Sequence, residues 1–160
     1  MVTPARHYSG RLFKKNKTLW VGYVVMSKAR RLFFSGDSGY GPHFAEIGKH
    51  YGPFDWVALD DGQYDLRWAN VHMNAEQAGQ AADDLHATAF TPGHVGRFSL
   101  APHAWDEPLE RSEVEARRHH YALWTPAIGT PIYLDGRSQK FGTWWRAPGH
   151  VPPPTEASFN

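Results

Sequence analysis

The chain has 160 residues, ten of them His and none Cys, and its 17 basic side chains against 16 acidic ones leave a formal charge of +1. That is one domain's worth of chain, and with 41% apolar residues it is too hydrophobic for wholesale disorder. The even charge disfavours a nucleic-acid binder, and without Cys there are no disulfides, thiolate metal sites or Cys nucleophiles, so any metal must be held by His and carboxylates. No apolar run approaches a membrane span and no basic-then-apolar leader follows Met1, so the expected address is cytoplasmic.

In chain order, Leu19 to Val25 is rich in β-branched and aromatic residues and predicts a strand with apolar side chains on both faces. Arg31 to Ser35 follows a short basic turn and closes a hairpin with it. After Pro42, the spacing of Phe44, Ile47 and Tyr51 predicts a short amphipathic helix that Gly52-Pro53 ends. Asp55 to Leu59 reads as a buried strand leading into a polar loop, Asp60 to Tyr64. Asn74 with Gln77 three residues later is a capping-box signature for a helix to about His86, burying Ala78, Ala81, Ala82 and Leu85. Further strands are expected at 88–92, 121–125 and 131–134, with a helix from Asp106 to about Arg118. Two strands followed by alternating helix and strand give an α/β domain with a mixed sheet over residues 1–146, and 147–160, with four Pro, reads as a fraying tail.

Sites in such sheets sit just beyond strand ends. Three loop segments there each carry one hard ligand among small residues: His7 in 4–9, Asp37 in 35–40 and His94 in 91–96. Their spacing matches no local zinc motif. His43, His50, His72, His86 and His150 read as solvated surface imidazoles, and His119-His120 as an exposed helix end. His103 with Asp106 is open between a supporting hydrogen-bond role and a helix cap. The basic clusters at 14–17 and 28–31 read as solvated turns, with peripheral contact to anionic lipid as the other reading.

The stretches Pro-Ala-Arg-His-Tyr-Ser-Gly-Arg (4–11), Asn-Lys-Thr-Leu-Trp (16–20), Phe-Phe-Ser-Gly-Asp-Ser-Gly-Tyr (33–40), Glu-Ile-Gly-Lys (46–49) and Gly-Pro-Phe-Asp (52–55) carry a resemblance. So do Asp-Gly-Gln-Tyr (61–64), His-Val-Gly-Arg-Phe-Ser-Leu-Ala (94–101) and His-Ala-Trp-Asp-Glu-Pro (103–108). In this order they resemble the metallo-β-lactamase-fold hydrolases related to N-acyl-phosphatidylethanolamine-hydrolysing phospholipase D. The resemblance implies two Zn²⁺ ions, with His7 on the first, His94 on the second and the carboxylate of Asp37 bridging both as the catalytic acidic group. It also implies hydrolysis of an amphiphilic phosphodiester by a metal-bridging hydroxide. Gln63 and Tyr64, which follow a strand near that site, are the expected substrate contacts.

Two departures stand out. Val95 occupies a position where the family shows Trp, and the family's His-x-His-x-Asp-His string does not occur. The expectation is therefore the second half of an αβ/βα sandwich, helices on one face of a mixed sheet. Its partners would be the other half, or a second copy through the bare sheet face, and alone it would bind zinc weakly. The competing expectation is a non-catalytic half-domain acting as an interaction protein.

Overall fold

The computed structural model describes residues 1–11 and 14–146; the expected tail at 147–160 lies outside them. The chain opens with strand β1 (Val2–Pro4), a two-residue hairpin pair β2 (Gly10–Arg11) and β3 (Lys14–Lys15), then β4 (Val21–Met26) and β5 (Arg31–Phe34). Helix α1 (His43–Tyr51), β6 (Trp56–Asp60), α2 (Ala75–Asp84), β7 (Ala89–Gly93), α3 (Glu107–Glu115) and β8 (Ala122–Leu123) follow. The main sheet runs β1-β4-β5-β6-β7-β8. β1, β4 and β5 pair antiparallel, whereas β5 to β8 are parallel neighbours. Helices supply the crossovers that parallel pairing requires.

Register puts Gly22, Val24, Phe33, Val57 and Phe90 on one face, where α1 and α2 cover them with Phe44, Ile47, Ala78, Ala81, Ala82 and Leu85. The four α2 residues are fully buried, as their spacing predicts, and Asn74 and Gln77 close the capping box. The small side chains of α2 let its backbone approach the sheet. Gly48 of α1 touches that helix's end so closely that a Cβ there would lie 1.9 Å from the Asp84 carbonyl.

The opposite face has no helix among the described residues. Val2, Tyr23, Val25 and Phe34 are exposed on it, and Trp56 lies half-buried with its ring 5.2 Å from Phe34. β4 is thus apolar on both faces but covered on one. Leu19 stands outside the strand and is exposed.

Several sequence expectations are corrected. Residues 131–134 form no strand: the sheet ends at β8 (Ala122–Leu123), and 131–134 pair with neither of its edges. The 28–31 cluster is not simply solvated: Arg30 pairs with Asp55 at 2.9 Å, and Arg31 donates to the carbonyls of Tyr51 and Gly52. His119 is not an exposed helix end; its ring sits between Asp83, 2.5 Å from Nδ1, and Glu115, 3.5 Å from Nε2. His103 bonds the Ala104 carbonyl rather than a carboxylate, and Asp106 makes no side-chain cap bond. Among the described residues no helix is long and apolar enough to cross a membrane.

Candidate metal centre

The loops that leave β1, β5, β6 and β7 meet at one edge of the sheet. His7 lies in the loop after β1, Asp37 in the loop after β5, and His94 directly after β7. His94 Nε2 stands 3.9 Å from Asp37 Oδ2. A fourth residue completes the group: the His72 ring lies 5.1 Å from that of His7 and 5.2 Å from that of His94. Sequence reading assigned His72 to the solvated surface; its side chain is in fact 12% exposed and held by a buried carboxylate. Its one sequence signal was its place two residues before the Asn74 cap, which fixes it at the entry of a packed helix.

That carboxylate is Asp60, at the end of β6. Its Oδ2 accepts from His72 Nδ1 at 2.6 Å and from the backbone N–H of Ser38 at 3.0 Å. The Ser38 hydroxyl in turn accepts from the Arg6 N–H at 3.0 Å. One buried group thereby ties together the loops that bear His7, Asp37 and His72. Burial lifts the Asp60 carboxyl above its ordinary range, against the pull of His72. On His72 burial works to lower the proton affinity, but the hydrogen bond and charge of Asp60 outweigh it and the net shift is upward.

Close backbone approach holds the loops in place. A Cβ at Gly39 would lie 2.2 Å from the Asn70 carbonyl, and one at Gly62 would lie 1.8 Å from the His94 carbonyl. His94 itself has φ +58, a left-handed conformation uncommon for a side chain with a Cβ.

The expected substrate contacts fall otherwise. The Gln63 amide is buried and engaged with the His94 loop: Nε2 donates to the carbonyls of His94 and Phe98, and Oε1 accepts from the N–H groups of Leu100 and Ala101. It positions the loop. Tyr64 donates to Glu107 at 2.7 Å and stacks on His103, so its hydroxyl too is engaged within the protein. Asp61, read as part of a polar loop, is fully buried, with the Ser112 hydroxyl donating to it.

The donor types suit a metal. The Val71 carbonyl can only accept, so His7 Nδ1, 3.1 Å away, carries the proton and Nε2 keeps its lone pair. His72 is set the same way by Asp60. Metal-binding imidazoles are oriented in this manner, the second nitrogen donating to a carbonyl or carboxylate. The number does not suffice: among the described residues no group of three or more His, Asp or Glu could hold one ion.

The beta-lactamase superfamily domain matches residues 1–95, more than half of the chain. The chain belongs to that superfamily. All five residues of the centre, His7, Asp37, Asp60, His72 and His94, lie within the matched region. "Outer membrane protein RomA" of Klebsiella pneumoniae is 50% identical over 96 residues, covering 60% of this superfamily member and 73% of RomA. "Uncharacterized protein Rv0906" of Mycobacterium tuberculosis is 38% identical over 146 residues, 89% of this chain and 39% of that one. The "N-acyl-phosphatidylethanolamine-hydrolyzing phospholipase D 1" of Caenorhabditis elegans is 39% identical over 101 residues, 61% of this chain and 28% of its own. Among solved structures, the metallo hydrolase Igni18 from Ignicoccus hospitalis superposes with a TM-score of 0.59 at 21% identity, over 82% of this chain and 50% of that one. The fold is that of the metallo-β-lactamases. The chain spans only about a third of the mycobacterial and nematode relatives and half of the archaeal structure.

Proposed function

We propose that residues 1–146 form one αβ half of a zinc-dependent phosphodiester hydrolase, and that a second αβ unit seated on the open sheet face supplies the remaining ligands. The observation that carries this reading is the meeting of His7, His72, His94 and Asp37 at one sheet edge, two of the imidazoles already fixed through Nδ1. Imidazole with carboxylate is a donor set that suits Zn²⁺. The nematode relative's printed activity supports a phosphodiester as the substrate class. The short count of ligands supports the second unit.

His7, His72, His94 and the half-exposed Asp37 would each be donors to bound metal, His7 and His72 through the ring nitrogen their Nδ1 bonds leave free, with the second unit completing the set. Bound zinc would acidify water and polarise the phosphoryl oxygens. Asp60 keeps the His72 ring from rotating and fixes its tautomer, and Ser38 keeps the Asp37 loop in register with it. Gln63 holds the strained turn at His94.

The apolar open face also favours a second reading, a half-domain whose role is to bind a partner without catalysis. One titration separates them. Zinc is added to the chain while the imidazole nitrogens are followed by NMR, and phosphodiesterase activity is read with and without a half bearing the His-x-His-x-Asp-His motif. The expected result is weak binding that moves His7, His72 and His94 alone, with affinity falling at least tenfold in His72→Ala, and turnover only when both halves are present. Shifts at other histidines would overturn the metal reading. Assembly of the halves without zinc or turnover would leave the interaction protein.

A further inference from the structure

Next to the metal-facing residues, on the far side of His94, the surface folds into a crevice of about 130 Å³. Its walls are Pro92 of β7, Val95, Leu109 of α3, and Pro126, Ile128 and Trp144 from the C-terminal third. No charged side chain lines it. Two polar groups that reach it are engaged: Thr91 Oγ1 accepts from Trp56 Nε1 at 2.8 Å, and Trp144 Nε1 donates to the Thr125 carbonyl at 3.1 Å. Removal of apolar surface from water is therefore the main interaction it offers a guest.

Three features make the crevice a formed site. The Trp144 indole is anchored by its bond to Thr125. The turn at Gly96, φ +83, lies beside that indole, where a Cβ would make ordinary contact at 3.4 Å. Val95 is joined directly to His94, so whatever fills the crevice starts within one residue of the metal-facing loop. Val95 itself lines the crevice with a small apolar side chain.

We propose that this crevice is the specificity pocket of the site and takes one small apolar substituent of the substrate, a single ring or a chain of four to six carbons. A cavity of about 150 Å³ takes up benzene, which sets that scale. A long acyl chain does not fit. The role as a substrate pocket rests on the metal-site reading above, but the binding chemistry does not, because no metal takes part in it.

The test uses the 160-residue chain with methyl labels and the straight-chain 1-alkanols from propanol to decanol as probes. Methyl signals of Val95, Leu109 and Ile128 are expected to shift. Affinity should rise about two- to fourfold per methylene and level off at five or six carbons. Val95→Trp should fill the mouth and lower pentanol affinity at least tenfold. Should that variant unfold, Ile128→Ala, at an exposed wall position, should move the plateau one or two carbons further. Affinity that climbs without a plateau past eight carbons, absence of shifts at these methyls, or shifts gathered instead on Val2 and Val25 of the open face would overturn the proposal. Loss of zinc binding would leave it standing, and failure here would leave the metal reading untouched.

Discussion

Asp61 is a carboxylic acid with no exposed surface, one oxygen bonded to Ser112 and the other without a hydrogen-bond partner among the described residues. Burial pushes its carboxyl well above the ordinary aspartate range, tempered by the serine bond and reinforced by the neighbouring charge of Asp60. In the unfolded chain the same group ionises near pH 4. Above that pH the folded chain keeps a proton that the unfolded chain has released, so stability falls as pH rises until the folded carboxyl ionises as well. Each tenfold difference in proton affinity is worth about 1.4 kcal/mol, or roughly 3–6 °C in Tm at this size. Asp61→Asn keeps an acceptor for Ser112 and removes the titration. It should melt higher than the parent at pH 7.5, with the advantage shrinking to nothing by about pH 4. Thermal melts across that range check this, and an advantage independent of pH would refute it.

At the scale of elements, the Asn74–Gln77 capping box is the joint between His72 and α2. The Asn74 side chain accepts from the Gln77 N–H at 2.9 Å, and the Gln77 side chain accepts in return from the Asn74 N–H at 3.2 Å. Asn74→Ala should cost about 1 kcal/mol and lower Tm by roughly 2–4 °C, whereas Asn74→Ser, which retains a cap acceptor, should cost less than half of that. The helices were legible in the sequence because their signals are local: the Phe44, Ile47, Tyr51 spacing and the cap three residues apart need no knowledge of the rest of the chain. The hairpin of β4 and β5 was legible for the same reason. The burial of Asp60 and the place of His72 were not, because their environments are set by residues far away in the chain. His72 meets His7 and His94 only once five strands, β1, β4, β5, β6 and β7, have been ordered side by side. The strand expected at 131–134 failed for a related cause: composition shows that a segment tolerates extended backbone, but not whether the chain path brings it alongside a sheet edge. Likewise Gln63 was expected to touch substrate from its place after a strand near the site, and only the fold shows its amide engaged with the loop backbone from His94 to Ala101.

At the scale of the whole molecule, Val2, Tyr23, Val25 and Phe34 leave an apolar sheet face exposed. At ~25 cal/mol per Å², a few hundred Å² of apolar surface left in water forgoes on the order of 10 kcal/mol. The isolated chain should therefore self-associate with rising concentration and bind a dye that reports apolar surface. Tyr23→Lys combined with Phe34→Lys should shift sedimentation toward monomer and lower dye fluorescence several-fold at little expense to the covered core. A compact monomer that ignores the dye at every concentration would show that this face needs no cover. The order of strands across the sheet has a consequence of another kind. From β1 to β8 the main sheet follows the order of the chain, so every strand but the first finds its neighbour already in place beside it. As a ribosome releases these strands in chain order, the sheet grows outward one strand at a time, and His94 reaches His7, Asp37 and His72 only after their scaffold has been laid. The cluster of His7, Asp37, His72 and His94 is thus the last thing synthesis completes within residues 1–95, and a chain stalled before β7 would carry the scaffold without His94.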